Sequence, residues 1–410
     1  MTIAVAAQQA DDRPFPLKIF LFAFFGWTFD FYDLVLLGFL KEHVGHDLHL
    51  THSAEAWMLG VALGTSGLGG IVAGALADRI GKRTMLASTI LLYSLGSLVA
   101  GLAPNITVFL IGRGLVGLGV GGEWAIGHAL VAEAIGNHMR GRGSALLQSG
   151  EPVGVALAAV AGYLITPLVG WRWVMIGSSA TALLALAARR SMHLPDEPAA
   201  EKASWSMVRR AGIGRRMLAA WVLGVFKLGT YWTCYTWLPG FLLKEMNQGV
   251  GRSFAWVLTA QIGQLSGMLL FGQASDRIGR RPSFTIFSLI TAVAIGLLAF
   301  RCEVLSATPV LFWGTMLMLG LGSGCTAGFG ALLAELFPTE VRGLAMGTTY
   351  NLARSIQVLA PVIVSWAVLR NGLSGGLGVP LVLALATATW VWVLPETRGI
   401  ELPRLAREGD

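Results

Sequence analysis

Residues 74–85 read GALADRIGKRTM and residues 272–283 read GQASDRIGRRPS, an offset of 198. A second echo pairs AEAIGNHMRG (132–141) with AELFPTEVRG (334–343), an offset of 202. Two separate loops recurring at nearly one spacing describe a chain built from two similar halves. Both copies of the first loop follow a second long apolar stretch of their half. Both copies of the other join a fourth stretch to a fifth.

The stretches themselves set the fold class. Apolar residues make up 54% of the 410 and charged residues only 13%, against about 25% charged in a soluble domain. Mean hydropathy is +0.65. A bilayer core needs ~20 residues of helix, and twelve segments are long enough: 17–40, 54–77, 84–102, 106–132, 143–166, 171–188, 217–243, 253–274, 283–300, 309–334, 344–369 and 377–394. The expected architecture is all-α and integral to the membrane, with twelve helices in two pseudo-symmetric bundles of six. The first bundle covers 1–188 and the second, with a short tail, 217–410. Between them 189–216, rich in basic residues, reads as a cytoplasmic linker. Residues 1–16 lack a basic leader region, so the first span is read as retained.

The chain is basic, at net +7, and the distribution of that charge assigns it to topology. With a cytoplasmic N-terminus, Lys41, Arg172, Lys244, Arg252, Arg301 and Arg370 face outward, while Arg113, Lys227 and Arg354 lie inside spans. The remaining 21 of 30 are cytoplasmic, a strong positive-inside bias. Nucleic acid is therefore not an expected partner; the expected surroundings are the lipid of a cell inner membrane, with both termini cytoplasmic and the chain monomeric. Cys234, Cys302 and Cys325 are scattered and show no metal or disulfide spacing. His43, His46, His49 and His52 are read as a solvated outward loop rather than a metal site.

These residues carry a resemblance. The GxLADRxGKR loop, its copy, RGLVGLGVGGEW (113–124), PTEVRG (338–343) and PETRG (395–399) resemble the major facilitator superfamily along nearly the whole chain. FDFYD (29–33) with GVGGEW resembles its proton-coupled organic-acid symporters, of the sialate/lactate, aromatic-acid and citrate types. Relatives with a glycine between the acids of the first span contrast with Phe31 here. The resemblance implies a secondary transporter, not an enzyme, with two halves rocking about a midplane site.

An acid among bases in the loops suits ion pairs made in one packing of the halves and broken in the other. Asp78, Arg79, Lys82 and Arg83, with Asp276, Arg277, Arg280 and Arg281 in the copy, are the expected cytoplasmic gate. By analogy Glu133 with Arg140, and Glu335 with Arg342, join it. The glycines of span four suit close helix packing; no strand precedes them, so they are not a dinucleotide fingerprint.

Ionisable groups inside a span are costly and point to function. Asp30 and Asp33, three apart, share a helix face; an apolar setting and each other's charge favour a shared proton. They are the expected proton carriers, with Glu123 and Arg113 as relay or partner; fixed ion pairs with Arg113 or Lys227 are the alternative. Arg354, ~15 Å into span eleven, is expected to bind a substrate carboxylate, since a guanidinium forks onto two oxygens. Tyr350, Asn351 and Gln357 share its face. Lys227 and Gln148 are expected to assist, with Trp232 and Tyr235 lining or gating the cavity, or else packing. Glu151 directly precedes Pro152, which disfavours the drug-exporter pattern of span five.

The expected activity is proton-coupled uptake of a small organic-acid anion by alternating access, with no cofactor beyond the coupling proton. An exporter of amphipathic or cationic drugs, an uncoupled facilitator and a non-transporting sensor are the rivals. With no GxxxxGK[ST] loop, ATP is not the driver.

Overall fold

The computed structural model describes residues 17–50, 52–135, 137–181, 183, 204–245 and 250–404, and every regular element among them is helical. In the first half the spanning helices are α1 (Leu17–Asp47), α2 (His52–Ile80), α3 (Lys82–Gly101), α4 (Ile106–Ala134), α5 (Arg140–Val169) and α6, described from Trp171 to Ser178. In the second they are α7 (Gly214–Glu245), α8 (Val250–Ile278), α9 (Arg280–Phe300), α10 (Pro309–Leu336), α11 (Thr339–Leu359 and Val362–Gly372) and α12 (Gly375–Val393). Among the described residues nine helices are apolar and long enough to cross a bilayer, or ten when the two parts of α11 count as one. The other two are α6, described only in part, and α7, whose Lys227 and polar aromatic cluster dilute its hydropathy.

Close packing within each half rests on small residues in equivalent places. A β-carbon on Gly121 would come 2.0 Å from the Ser66 carbonyl oxygen, and one on Gly320 2.0 Å from that of Ala260. The α2–α4 and α8–α10 contacts are thus copies of one design, with backbones brought together where no side chain intervenes. The loop repeat holds in the backbone too. Gly81 and Gly279 both take a positive φ, 90° and 104°, immediately before α3 and α9. That region is open chiefly to glycine.

Two spans depart from regular helix. α5 has a π-helical turn at Ala161–Ile165, and α11 bends by 44° across Leu359–Val362, where Pro361 lacks an amide donor. The first span is longer than expected from hydropathy. It continues to Asp47, so His43 and His46 sit on its last turns instead of in a loop, while His49 occupies the turn that follows.

Candidate functional site

The ionisable residues in the spans are all nearly inaccessible to solvent. α1 and α4 bring together four of them in two distinct pairs. Asp33 is held by Arg113: Nη1 lies 3.7 Å from Oδ1 and donates to the Asp33 carbonyl at 3.2 Å, and Nη2 donates to the Leu34 carbonyl at 3.4 Å. Oδ2 of Asp33 accepts the Ser97 hydroxyl from α3. This is a buried ion pair, in which Asp33 Oδ1 and Arg113 Nε make no hydrogen bond.

Asp30 differs. Its carboxyl lies beside that of Glu123, and no hydrogen-bond donor reaches any of the four oxygens. The contact exists because Gly26, one turn before Asp30, has no side chain; a β-carbon there would fall 1.7 Å from Glu123 Oε1. Two ionised carboxylates repel in an apolar setting, whereas one proton between them makes a hydrogen bond. Sequence spacing suggested Asp30 and Asp33 as one couple; the packing divides them, one to Glu123 and the other to Arg113.

Arg354 of α11 faces the same space. Nη2 donates to Asn351 Oδ1 at 2.6 Å and Nε to Ser66 Oγ of α2 at 3.3 Å, while Nη1 is buried with no acceptor. Asn351 in turn donates to the Gly121 carbonyl of α4 at 2.7 Å. Lys227 of α7 is likewise buried, its Nζ without an acceptor. Gln357 sits at the bend of α11, donating to the Ala353 carbonyl at 2.8 Å and that of Val225 at 3.3 Å. It braces α11 against α7.

Aromatic rings wall this space. Tyr350 of α11 stacks on Trp124 of α4, with centroids 3.6 Å apart and planes at 8°. Phe31 of α1 meets Tyr231 and Trp232 of α7 at 6.3 and 6.4 Å, and Tyr235 stacks on Tyr231 at 4.6 Å. Phe31 thus makes an aromatic contact across the halves.

Gln148 is the hub of a chain that hydropathy alone did not reveal. Its Oε1 accepts from Trp124 Nε1 at 3.1 Å and from His128 Nε2 at 2.9 Å, and its Nε2 donates to Glu151 Oε2 at 2.7 Å. Glu151 Oε1 accepts from Gln264 Nε2 of α8 at 2.9 Å. Glu151 therefore joins the two halves. Its signal in the sequence is a carboxylate within an apolar span.

The family model of the Major Facilitator Superfamily matches residues 19–260 and 245–409. The chain belongs to that superfamily. A probable 4-methylmuconolactone transporter of Cupriavidus pinatubonensis is 33% identical over 405 residues, covering 95% of this chain and 92% of that protein. The niacin transporter of Acinetobacter baylyi is 28% identical over 379 residues, covering 83% and 84%. A solved proton:xylose symporter, bound to 6-bromo-6-deoxy-D-glucose, superimposes with a TM-score of 0.75 over 95% of this chain and 98% of its own, at 19% identity; that likeness concerns the fold. The chain is a multi-pass membrane transporter with twelve helices in two bundles, not an enzyme.

At the loop-motif end of this facilitator the halves are closed on each other. Asp276 of α8 accepts the Gly141 and Arg142 amides, both at 3.0 Å, and so caps the N-terminus of α5, a placement favoured by the helix dipole. Arg280 donates to Asp276 at 2.7 Å and to Glu335 at 2.7 and 3.1 Å. Arg140 of the first half stands 4.0 Å from Glu335 and donates to the Ile400 carbonyl at 2.9 Å. Glu335 therefore pairs with Arg280 and Arg140, not with Arg342, whose guanidinium turns to the Ala334 carbonyl and Thr339 Oγ1.

The PETRG segment belongs to this closure. Glu396 accepts the Arg280 and Arg281 amides at 2.8 and 3.1 Å, Thr397 donates to Glu335 at 2.7 Å, and Arg281 donates to the Leu394 carbonyl. Arg79 and Arg277 are exposed and Lys82 is half-buried. The side chains of Asp78, Arg83 and Glu133 lie outside those described.

Proposed function

We propose that this facilitator takes up a small organic-acid anion together with a proton. The observation that carries the reading is one of unmet charge. Arg354 Nη1 and Lys227 Nζ are buried cationic groups with no acceptor, and Arg354 lies near the Asp30–Glu123 carboxyl pair, which has no donor. Buried charge without a partner is costly. A substrate carboxylate on Arg354 and Lys227 and a proton between Asp30 and Glu123 relieve both deficits at once. Loading of the two is then coupled without any direct contact between them.

The aromatic walls favour a flat, unsaturated or ring-bearing acid, whose faces pack against rings at offset or edge-on geometry. The relatives named for 4-methylmuconolactone and niacin support the same substrate class. The basic bias of one set of loops supports an inner-membrane location with both termini cytoplasmic. Closure at the loop-motif end then corresponds to a cytoplasmic gate that is shut.

The test is uptake into proteoliposomes of radiolabelled aromatic monocarboxylates, with and without an inward proton gradient. Wild type is expected to concentrate at least one such acid only when the gradient is present. Arg354→Gln removes a charge-assisted contact of ~2–5 kcal/mol, so binding should weaken at least thirtyfold. Undiminished carboxylate uptake by Arg354→Gln would sink the anion site, and accumulation indifferent to the gradient would sink the coupling.

A further inference from the structure

At the end of the bundle opposite the DRIG loops, α9, α11 and α12 leave a groove of about 570 Å³. That volume is within the ~300–1,000 Å³ usual for a small-molecule site. Phe300, Trp366, Gly375, Gly378 and Val382 line it, and it opens outward from the bundle. Its hollow arises from the backbone. The helical path is interrupted at Asn371 and Gly372, the latter at φ 70°, and the next turns present glycine at 375 and 378. A β-carbon on Gly378 would meet nothing within 4 Å. Phe300, Trp366 and Val382 are each more than half exposed, so the groove faces lipid tails.

One arginine stands against its wall, and a second follows a lining residue in the chain. Arg370 lays its guanidinium over the Trp366 ring, 4.5 Å from the centroid, which parks a full charge beside an apolar wall. Arg301 directly follows Phe300 and is exposed. Glu303 stands two residues beyond it and is also exposed, so Arg370 is the stronger anchor. An apolar slot with a cation at its interfacial end is complementary to one kind of molecule in a bilayer. It fits an acyl chain joined to an anionic headgroup.

We propose that this groove binds an anionic phospholipid, its tail along Gly375 and Gly378 and its phosphate forked by Arg370, with Arg301 alongside. The site is separate from the transport cluster and does not depend on the proposed substrate. Native mass spectrometry of the full-length chain tests it, with phosphatidylglycerol and phosphatidylcholine of identical acyl chains offered in equal amounts. Wild type should retain phosphatidylglycerol preferentially. Arg370→Gln should lower that preference about fivefold, the equivalent of ~1 kcal/mol per interfacial arginine. Gly378→Leu, which fills the open space, should reduce retention of both lipids.

Thermal unfolding of the lipid-free variants at the wild-type temperature establishes that they are folded. Equal retention of the two lipids by wild type overturns the proposal, as does an unchanged preference in the Arg301→Gln, Arg370→Gln double variant. Displacement of phosphatidylglycerol by millimolar glycerol phosphate also overturns it, since the site would then be one for free phosphate.

Discussion

Gly26 of α1 stands directly against the carboxyl of Glu123 in α4, leaving less room than one methyl group requires. The absence of a side chain on one helix thus permits an acid–acid contact between two. Gly26→Ala is expected to push Glu123 away from Asp30 without removing either carboxyl. Gradient-driven accumulation should fall at least tenfold, and stability by the ~1–3 kcal/mol typical of overpacking. Retained accumulation at the wild-type level would show that the contact is not used.

Asp30→Asn and Asp33→Asn should part company. Asp33→Asn strands the buried Arg113 guanidinium, and breaking such a pair costs ~3–5 kcal/mol, so a marked drop in Tm is expected. Asp30→Asn removes a carboxyl that holds no cation within ion-pair distance. Tm should stay close to wild type while accumulation is lost and counterflow exchange persists. Thermal unfolding in detergent, measured beside exchange and net uptake, distinguishes them.

Asp276→Asn weakens the cap that ties α8 to α5. Hydrogen bonds to charged groups contribute ~1.5–3 kcal/mol, enough to move a gate by a factor of ten or more. Ala132→Cys, now buried near the closed end, should react with a membrane-impermeant maleimide at least ten times faster in the Asp276→Asn background. Equal labelling rates in both backgrounds would assign the cap to folding alone.

Tyr350→Leu removes the ring stacked on Trp124 and keeps the apolar volume roughly constant. Aromatic pairs contribute ~0.5–1.5 kcal/mol beyond burial. The variant should therefore lose about three- to tenfold in its preference for aromatic over aliphatic carboxylates, with transport of the latter little changed. Competition of aliphatic acids against a labelled aromatic one gives the ratio.

Much of the fold was legible because bilayer helices must be apolar along their length and must satisfy their own backbone. The loop repeat was legible because Gly81 and Gly279 are demanded by a turn, and turns leave local marks. Arg354, Lys227 and Asp30 stood out as charges among apolar neighbours. What could not be read was the division of partners. Asp33 takes Arg113 and Asp30 takes Glu123 because of how far α4 is slid along α1, a register set by Gly26 and its neighbours and by no local pattern. Glu335 chose Arg280 and Arg140 over Arg342 for the same reason, since tertiary approach decides which cation arrives. The bridging by Glu151 and Gln264 likewise needs two helices that are 113 residues apart in the chain to meet.

The PETRG tail has a practical corollary. Arg140 of the first half holds Ile400, and Pro403 accepts the Thr339 amide at 2.9 Å, so the last described residues are sewn across the seam between the bundles. Opening that end must unpick the stitch. A purification tag or fluorescent protein fused directly after residue 404 would therefore load the transport cycle itself, and a reporter placed at the other terminus avoids pulling on the seam.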